Sequence, residues 1–208
     1  MPWLPKEMHG KPFVGLLACY SGTAEEGEKL VAPIKSFGKP VGDVLVRRPY
    51  AQMQSLLDAT QPKGRRYYWK SEYLPRIEPE LCAKFIEHAA RIRSPHSAAV
   101  LFQIEGALNQ HDAQHSAVGN RDAHYVLNIT SAWEQAGDDG ANIEWARAAW
   151  RDLKSFSTGG TYINFLTEDE GPERTEAALG KGLKRLAEVK ARWDSHNLFR
   201  TNRNITPA

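Results

Sequence analysis

Three neighbouring side chains, His111, Asp112 and His115, are of the types that bind transition metals. Imidazole nitrogens and carboxylate oxygens can together hold zinc when further ligands complete a tetrahedral site. The surrounding residues are polar and indicate a loop, and this loop offers no further well-placed ligand. We therefore expect no metal site in this segment.

Cysteine chemistry is equally limited. Cys19 and Cys82 are the two cysteines of the chain, and neither belongs to a metal-type or redox-type motif. Two thiols with structural roles fit a reducing compartment, so we expect a cytoplasmic location. The residues up to Cys19 look like the cleavage site of a lipoprotein signal, but the apolar run before it is shorter than the roughly 7–15 residues that such a signal needs.

Aromatic side chains are concentrated in one short stretch, where Tyr67, Tyr68, Trp69 and Tyr73 could line a pocket for an organic substrate. Because side chains alternate between the two faces of a strand, about half of them should lie in the core instead. Both roles stay open for each of the four residues at this point.

Composition places the chain among ordinary globular proteins. Its 208 residues are 41% hydrophobic and 25% charged, with a formal net charge of +2, and these values lie close to the globular average. No dense block of lysine and arginine occurs, so we expect no nucleic-acid partner. No apolar run approaches the ~18 residues of a membrane span, so we expect no membrane insertion.

Strands and helices alternate along the chain. Short apolar runs predict strands at Phe13 to Tyr20, Val41 to Val46, Arg65 to Leu74, Ala98 to Ile104, His124 to Trp133 and Tyr162 to Leu166. Helical spacing and capping residues predict helices from Thr23 to about Phe37, after Pro49, and over Pro79 to Ile92, Asp139 to Leu153 and Pro172 to Trp193. This order of elements fits a doubly wound parallel sheet, although no glycine-rich phosphate cradle follows an early strand. It fits a single sheet with helices on one face equally well.

Several motifs near the C-terminus follow one another in a fixed order: Thr161 to Leu166, the acidic Glu168 to Glu170, Arg185-Leu186, Trp193-Asp194, and Asn197 to Ile205. Together they resemble the C-terminal signature of the berberine-bridge-enzyme-like FAD-linked oxidases. Upstream, Tyr20 to Gly22 and Gly64 to Ser71 resemble the substrate domain that precedes this signature in the family. The resemblance extends over nearly the whole chain.

The resemblance implies an α+β fold, in which an antiparallel sheet carries helices on one face and is followed by a C-terminal helix and tail. It divides the chain into a substrate-binding-type domain, residues 1–158, and a berberine-like segment, residues 159–208, packed on or beside it. FAD would be held by a flavin-binding domain, which lies N-terminal to this region in the family. Nothing in these 208 residues corresponds to that domain, so we expect no FAD in the isolated chain.

The resemblance also implies roles for individual residues. Tyr162 matches the tyrosine that removes a proton from a substrate hydroxyl while hydride leaves for the flavin. A phenol ordinarily titrates near ~10, so acting as a base at neutral pH requires positive charge or hydrogen-bond donors nearby. Asn164, Asn202 and Asn204 are predicted to bind the cofactor, and Gln103, Arg121 and Tyr68 to bind the substrate.

Each role has a structural alternative. Tyr162 could be a strand tyrosine that packs in the core. Asn164, which is expected on the same strand face as Tyr162, could bond to the backbone. Arg121 could form a surface salt bridge. Gln103 could tune the phenol of Tyr162, or it could simply occupy its strand.

The sequence thus predicts the C-terminal, substrate-side part of an FAD-linked oxidoreductase. Its substrate would be a small molecule with a hydroxyl group, such as a sugar, an alcohol or a phenolic compound. A separate flavin-binding domain or subunit would be the partner, and without it we do not expect activity. The alternative is a stand-alone, non-catalytic binding or scaffolding module that forms a homodimer.

Overall fold

The computed structural model describes residues 4–113 and 115–208. The chain forms two compact units, Met1–Gly64 and Arg65–Ala208. The predicted division into residues 1–158 and 159–208 is a different one, and it stays a prediction.

Residues 4–64 of the first unit contain two α-helices, α1 (Ala24–Lys35) and α2 (Tyr50–Gln54). The predicted capping box opens α1: the Thr23 hydroxyl accepts the Glu26 backbone N–H and donates to the Glu26 carboxylate. No strand occurs among residues 4–64. The strands predicted at Phe13 to Tyr20 and Val41 to Val46 are therefore wrong, because these extended runs have no neighbouring strand to pair their backbone groups.

The second unit is built on a three-stranded antiparallel sheet. Its strands are β1 (Arg66–Leu74), β2 (Ala98–Gln103) and β3 (Tyr125–Trp133), in the order β1-β3-β2. The prediction of an α+β fold with an antiparallel sheet is confirmed, and a doubly wound parallel sheet is excluded for this unit. Because side chains alternate, Tyr68, Lys70, Glu72 and Leu74 point to what we call the first face, and Tyr67, Trp69, Ser71 and Tyr73 to the second face.

The first face is covered by two helices, α3 (Pro79–Ala90) and α4 (Asp139–Leu153). Apolar residues of α4 recur at helical spacing and are fully or almost fully buried against the sheet: Trp145, Ala146, Ala149 and Leu153. The indole N–H of Trp145 donates to the carbonyl of His88 on α3 at 2.9 Å. This bond joins the two helices over the main core.

The C-terminal segment crosses the outer edge of β1. On the second face, Phe165 packs against a small cluster that contains Tyr73 and Val126. The strand predicted at Tyr162 to Leu166 is wrong, since Ile163–Phe165 is a 3-10 turn. Its apolar residue Phe165 attaches the end of the turn to the sheet, and the apolar pattern does not reflect the alternation of a strand.

The long helix predicted over Pro172 to Trp193 is interrupted. It consists of α5 (Pro172–Leu179), a 3-10 turn at Gly180–Gly182 and α6 (Leu183–Trp193). Gly180 has a φ of 52°, a left-handed conformation that glycine adopts without the steric penalty of a side chain. This glycine ends α5 and redirects the chain into α6.

Gly119 packs against the end of α5 and leaves no room for a side chain. A Cβ atom at this position would lie 2.3 Å from the Leu179 carbonyl oxygen, a backbone atom that cannot rotate away. We expect Gly119→Ala to lower the free energy of unfolding by about 1–3 kcal/mol, the range for overpacking. Gly140→Ala in α4 is the control, because its Cβ would meet nothing within 4 Å and alanine favours helix. Urea denaturation curves that coincide for the two variants would contradict the clash.

Candidate functional site

Tyr162 lies on the second face of the sheet and is partly open to solvent, with 37% of its surface exposed. Its hydroxyl oxygen accepts a hydrogen bond from the Asn164 side-chain amide at 2.8 Å. Its ring meets Phe165 edge-on, with 5.1 Å between centroids. The 3-10 turn therefore brings Tyr162 and Asn164 together, although the strand alternation that suggested their proximity is not present.

A buried phenol lies close to this turn. Tyr73 on β1 is almost fully buried within the cluster that Phe165 closes. Burial, together with a smaller effect of the nearby Tyr162, raises the pKa of Tyr73 to about 12. Tyr73 is therefore neutral at physiological pH, and it contributes an uncharged wall next to the exposed phenol of Tyr162.

Asn128 is a candidate that sequence reasoning missed. It lies in the middle of β3, between Ser71 of β1 and Val100 of β2 on the second face, and 3% of it is exposed. Its side-chain oxygen accepts from the Thr130 hydroxyl, but its amide nitrogen has no hydrogen-bond partner among the residues that the structure describes. A buried donor left unpaired costs about 1–3 kcal/mol, so a bound molecule with an acceptor oxygen would stabilise it.

One signal could have identified Asn128 from the sequence. It places a carboxamide between the apolar residues Leu127 and Ile129 of a predicted strand, and buried polar groups are nearly always paired. Further along the same face, the rings of Tyr67 and Trp69 stack at 5.6 Å. The second face thus presents a stacked aromatic pair, a central amide donor and a phenol.

Tyr68 lies on the first face, away from Tyr162. Its hydroxyl donates to Asp169 at 2.7 Å and accepts from Arg147 at 3.0 Å. Burial raises the pKa of Tyr68, although the hydrogen bond from Arg147 opposes this change. In this structure Tyr68 attaches the C-terminal segment to α4, and its binding of substrate stays a prediction.

Gln103 and Arg121 are likewise engaged elsewhere. Gln103 ends β2 on the first face, and its amide donates to Glu105 at 3.3 Å. In this structure Gln103 thus contacts Glu105 rather than Tyr162, and its proposed roles toward the phenol and the substrate stay predictions. The guanidinium of Arg121 donates to the carbonyls of Leu108 and Val118 and to the Ser116 hydroxyl, so it holds its own loop together.

Asn202 and Asn204 lie exposed in the tail, where Asn202 has a φ of 59°. The tail is attached through Arg203, which donates to the backbone carbonyls of Thr167 and Glu170. The structure therefore keeps both amides accessible, and their contact with a cofactor stays a prediction.

Buried charges hold the C-terminal segment to the sheet. We call Lys70, Glu72, Asp169, Glu170 and Arg174 the ionic cluster. The Arg174 guanidinium lies 2.9 Å from Glu72 and 2.8 Å from Glu170, and the Lys70 ammonium lies 3.3 Å from both Asp169 and Glu170. Burial alone would raise the pKa values of Asp169 and Glu170, but the hydrogen bonds and positive charges around them lower both.

The remaining candidate from the sequence is the histidine pair. The rings of His111 and His115 stack at 3.9 Å between centroids. Within residues 4–113 and 115–208, no group of three or more histidine, cysteine, aspartate or glutamate side chains is arranged to hold a metal ion. In the same part of the chain, no helix is both long and apolar enough to cross a membrane.

Known proteins are similar to this chain in sequence. Residues 161–206 match the family model described as berberine and berberine-like. An FAD-linked oxidoreductase of Dictyostelium discoideum is 28% identical over 199 residues, which cover 93% of this chain and 42% of that protein. The chain therefore spans less than half the length of this relative.

Solved structures share the fold. CrmK, a flavoenzyme involved in the recycling of shunt products in caerulomycin biosynthesis, is 28% identical with a TM-score of 0.69, over 90% of this chain and 43% of its own. A variant of berberine bridge enzyme has a TM-score of 0.74 at 13% identity, over 90% of this chain and 44% of its own. By sequence and by fold, the chain is similar to part of the length of berberine-bridge-type FAD-linked oxidoreductases.

Proposed function

We propose that the chain is the substrate-side part of an FAD-linked oxidoreductase that oxidises a hydroxyl-bearing small molecule, such as a sugar, an alcohol or a phenolic compound. The observation that carries the proposal is the composition of the second face. There, an exposed phenol with its own amide donor lies on the same side of the sheet as the buried Asn128, whose side-chain nitrogen has no hydrogen-bond partner among the described residues. A separate flavin-binding domain or subunit is the partner. A cytoplasmic location, which the free thiols of Cys19 and Cys82 favour, belongs to the same proposal.

Tyr162 is the base in this proposal. A flavin bound to the partner domain would supply the acceptor for the hydride of the substrate carbon, and Tyr162 takes the proton from the substrate oxygen. The Asn164 amide donates to the phenol oxygen at 2.8 Å. This contact orients the phenol oxygen that takes the proton.

Asn128 provides the second polar contact. Its side-chain N–H, for which the described residues provide no acceptor, can donate to an oxygen of the substrate or of the flavin ring. Because the donor is buried, a molecule that lacks the matching oxygen leaves it unpaired, and such sites discriminate strongly between ligands. The stacked Tyr67 and Trp69 rings offer a flat apolar surface for the rest of the molecule. Asn202 and Asn204 remain candidates for contact with FAD.

A chimaera tests the proposal. Residues 4–208 replace the matching region of the Dictyostelium relative, so that the relative's remaining part supplies the flavin. We expect a yellow protein whose flavin absorbance is bleached under anaerobic conditions by at least one sugar, alcohol or phenolic substrate, and we expect Asn128→Ala to raise KM or abolish bleaching. The isolated chain is the control and should be colourless. A chimaera that binds FAD but is reduced by no substrate of these classes would contradict the proposal.

The alternative function is a non-catalytic binding module that forms a homodimer. The exposed apolar side chains of Trp193, Leu198 and Phe199 favour it. Soluble monomers rarely expose apolar patches larger than a few hundred Å². The same side chains would also suit contact with a flavin-binding domain. Light scattering separates the two: a stable dimer of the isolated chain, together with a chimaera that does not take up FAD, would favour the module.

A further inference from the structure

The outer edge of β1 is covered by the residues that lead into the Tyr162 turn. The backbone N–H of Tyr73 donates to the Gly160 carbonyl at 3.0 Å, and the N–H of Thr158 donates to the Tyr73 carbonyl at 2.9 Å. Residues 158–161 therefore run along the strand and pair with it for a short distance. Covering an edge in this way removes free backbone groups that would otherwise attract another strand.

Thr161 makes the deepest contact of this segment. Its hydroxyl donates to the Ser71 carbonyl at 3.0 Å and lies 2.6 Å from the Ser71 hydroxyl. Each hydroxyl has a single proton. Since the Thr161 proton is directed to the carbonyl, the Ser71 hydroxyl must be the donor in the 2.6 Å contact. Both residues are at most 1% exposed, so the two bonds are shielded from water.

The Tyr162 phenol depends on its own turn for its position. Its hydrogen bond comes from Asn164 and its ring contact from Phe165, and both residues belong to the same turn. The position of the Tyr162 phenol relative to the sheet is therefore determined by the two attachments of the turn. These are Phe165 on one side and Thr161 on the other. Thr161 is the residue directly before Tyr162, and its attachment uses two directional bonds rather than packing.

We propose that Thr161 is a positioning residue, whose buried hydroxyl, paired with Ser71, fixes the Tyr162 phenol relative to the second face. The inference rests on the proposed function of Tyr162 but concerns a residue that touches neither substrate nor flavin. Misplacing a reacting group by about 1 Å can reduce a rate by roughly 10²-fold. Loss of the Thr161 hydroxyl should therefore affect kcat more than KM.

The first test uses the full chain on its own. Tyrosines are replaced by 3-fluorotyrosine, and Tyr162→Phe identifies the Tyr162 signal in the fluorine NMR spectrum. Thr161→Val keeps the side-chain shape and removes the hydroxyl, while Arg174 still donates to the Ser71 carbonyl at 2.8 Å. We expect Thr161→Val to shift or broaden the Tyr162 signal and Thr161→Ser to restore it. An unchanged signal in Thr161→Val would overturn the inference.

Matched variants keep the test decisive. Thr158→Val alters the same edge segment, but its hydroxyl bond to the Tyr73 carbonyl is long, at 3.5 Å, so we expect the Tyr162 signal to stay unchanged. Ser71→Ala removes the second hydroxyl and replaces Thr161→Val if that variant does not fold. In the chimaera, Thr161→Val should lower kcat about 10-fold or more with a small change in KM, and Thr161→Ser should recover most of it. A shifted fluorine signal in a chimaera that never turns over would refute the proposed function and leave the positioning role intact.

Discussion

Tyr162→Phe in the chimaera is expected to lower turnover by about 10²-fold or more, the range for losing a general base. The substitution removes one oxygen atom and leaves the ring in place, so the edge contact with Phe165 and the fold of the turn should persist. Substrate binding should change little, because the phenol takes the proton only as the reaction proceeds. The loss should therefore appear in kcat and in kcat/KM to a similar extent.

The control for this variant is Tyr50→Phe. Tyr50 lies exposed at the start of α2, in the other unit of the chain, and its hydroxyl contacts Gln54. We expect Tyr50→Phe to leave turnover unchanged. Turnover near the wild-type value in Tyr162→Phe, with the flavin normally bound, would show that another group takes the proton.

The elements that were predicted well from the sequence lie in the second unit, where each of them packs against another helix or strand. Residues 139–153 form α4 as predicted, and β1 and β3 begin within one residue of their predicted starts. In these segments apolar spacing and burial agree, because each element is covered by another. Where no covering strand is present, as in Phe13 to Tyr20, the same apolar pattern does not produce a strand.

The candidate site was only partly visible in the sequence. Tyr162 and Asn164 could be identified, because they are neighbours in the chain and match a family motif. The contact between Ser71 and Thr161 joins small hydroxyl residues 90 positions apart, and neither residue type signals such a pairing. The unpaired N–H of Asn128 depends on what surrounds it in three dimensions, and a sequence pattern does not contain this information.

The ionic cluster gives the largest expected effect on stability. Arg174 is almost fully buried and contacts both Glu72, which is fully buried, and Glu170. Arg174→Met keeps the bulk of the side chain but leaves two carboxylates without their main partner. Breaking a buried ion pair on one side typically costs about 3–5 kcal/mol, and we expect a loss of this size at pH 7, measured by urea denaturation.

The same substitution at an exposed ion pair is the control. Arg185 contacts Glu188 at 3.4 Å on the surface of α6, where both side chains are well exposed. Such pairs contribute about 0–1 kcal/mol, so Arg185→Met should have little effect. If Arg174→Met lowers the free energy of unfolding by no more than Arg185→Met does, the ionic cluster does not hold the C-terminal segment in place.

The loss of unfolding free energy in Arg174→Met should depend on pH, because Arg174 and Lys70 neutralise carboxylates that titrate in acid. The pKa of Glu170 is lowered in the folded protein, so its contribution is fully present above the pKa of the unfolded chain, near ~4.3, and is lost as the pH falls through the lower folded value. In Arg174→Met, burial without this partner favours protonated Glu170, and mild acid then relieves the penalty. The difference in unfolding free energy between wild type and Arg174→Met should therefore shrink between pH 7 and pH ~4, whereas the small difference for Arg185→Met should stay constant. A gap that widens on acidification would mean that Glu170 is not the carboxylate that Arg174 stabilises.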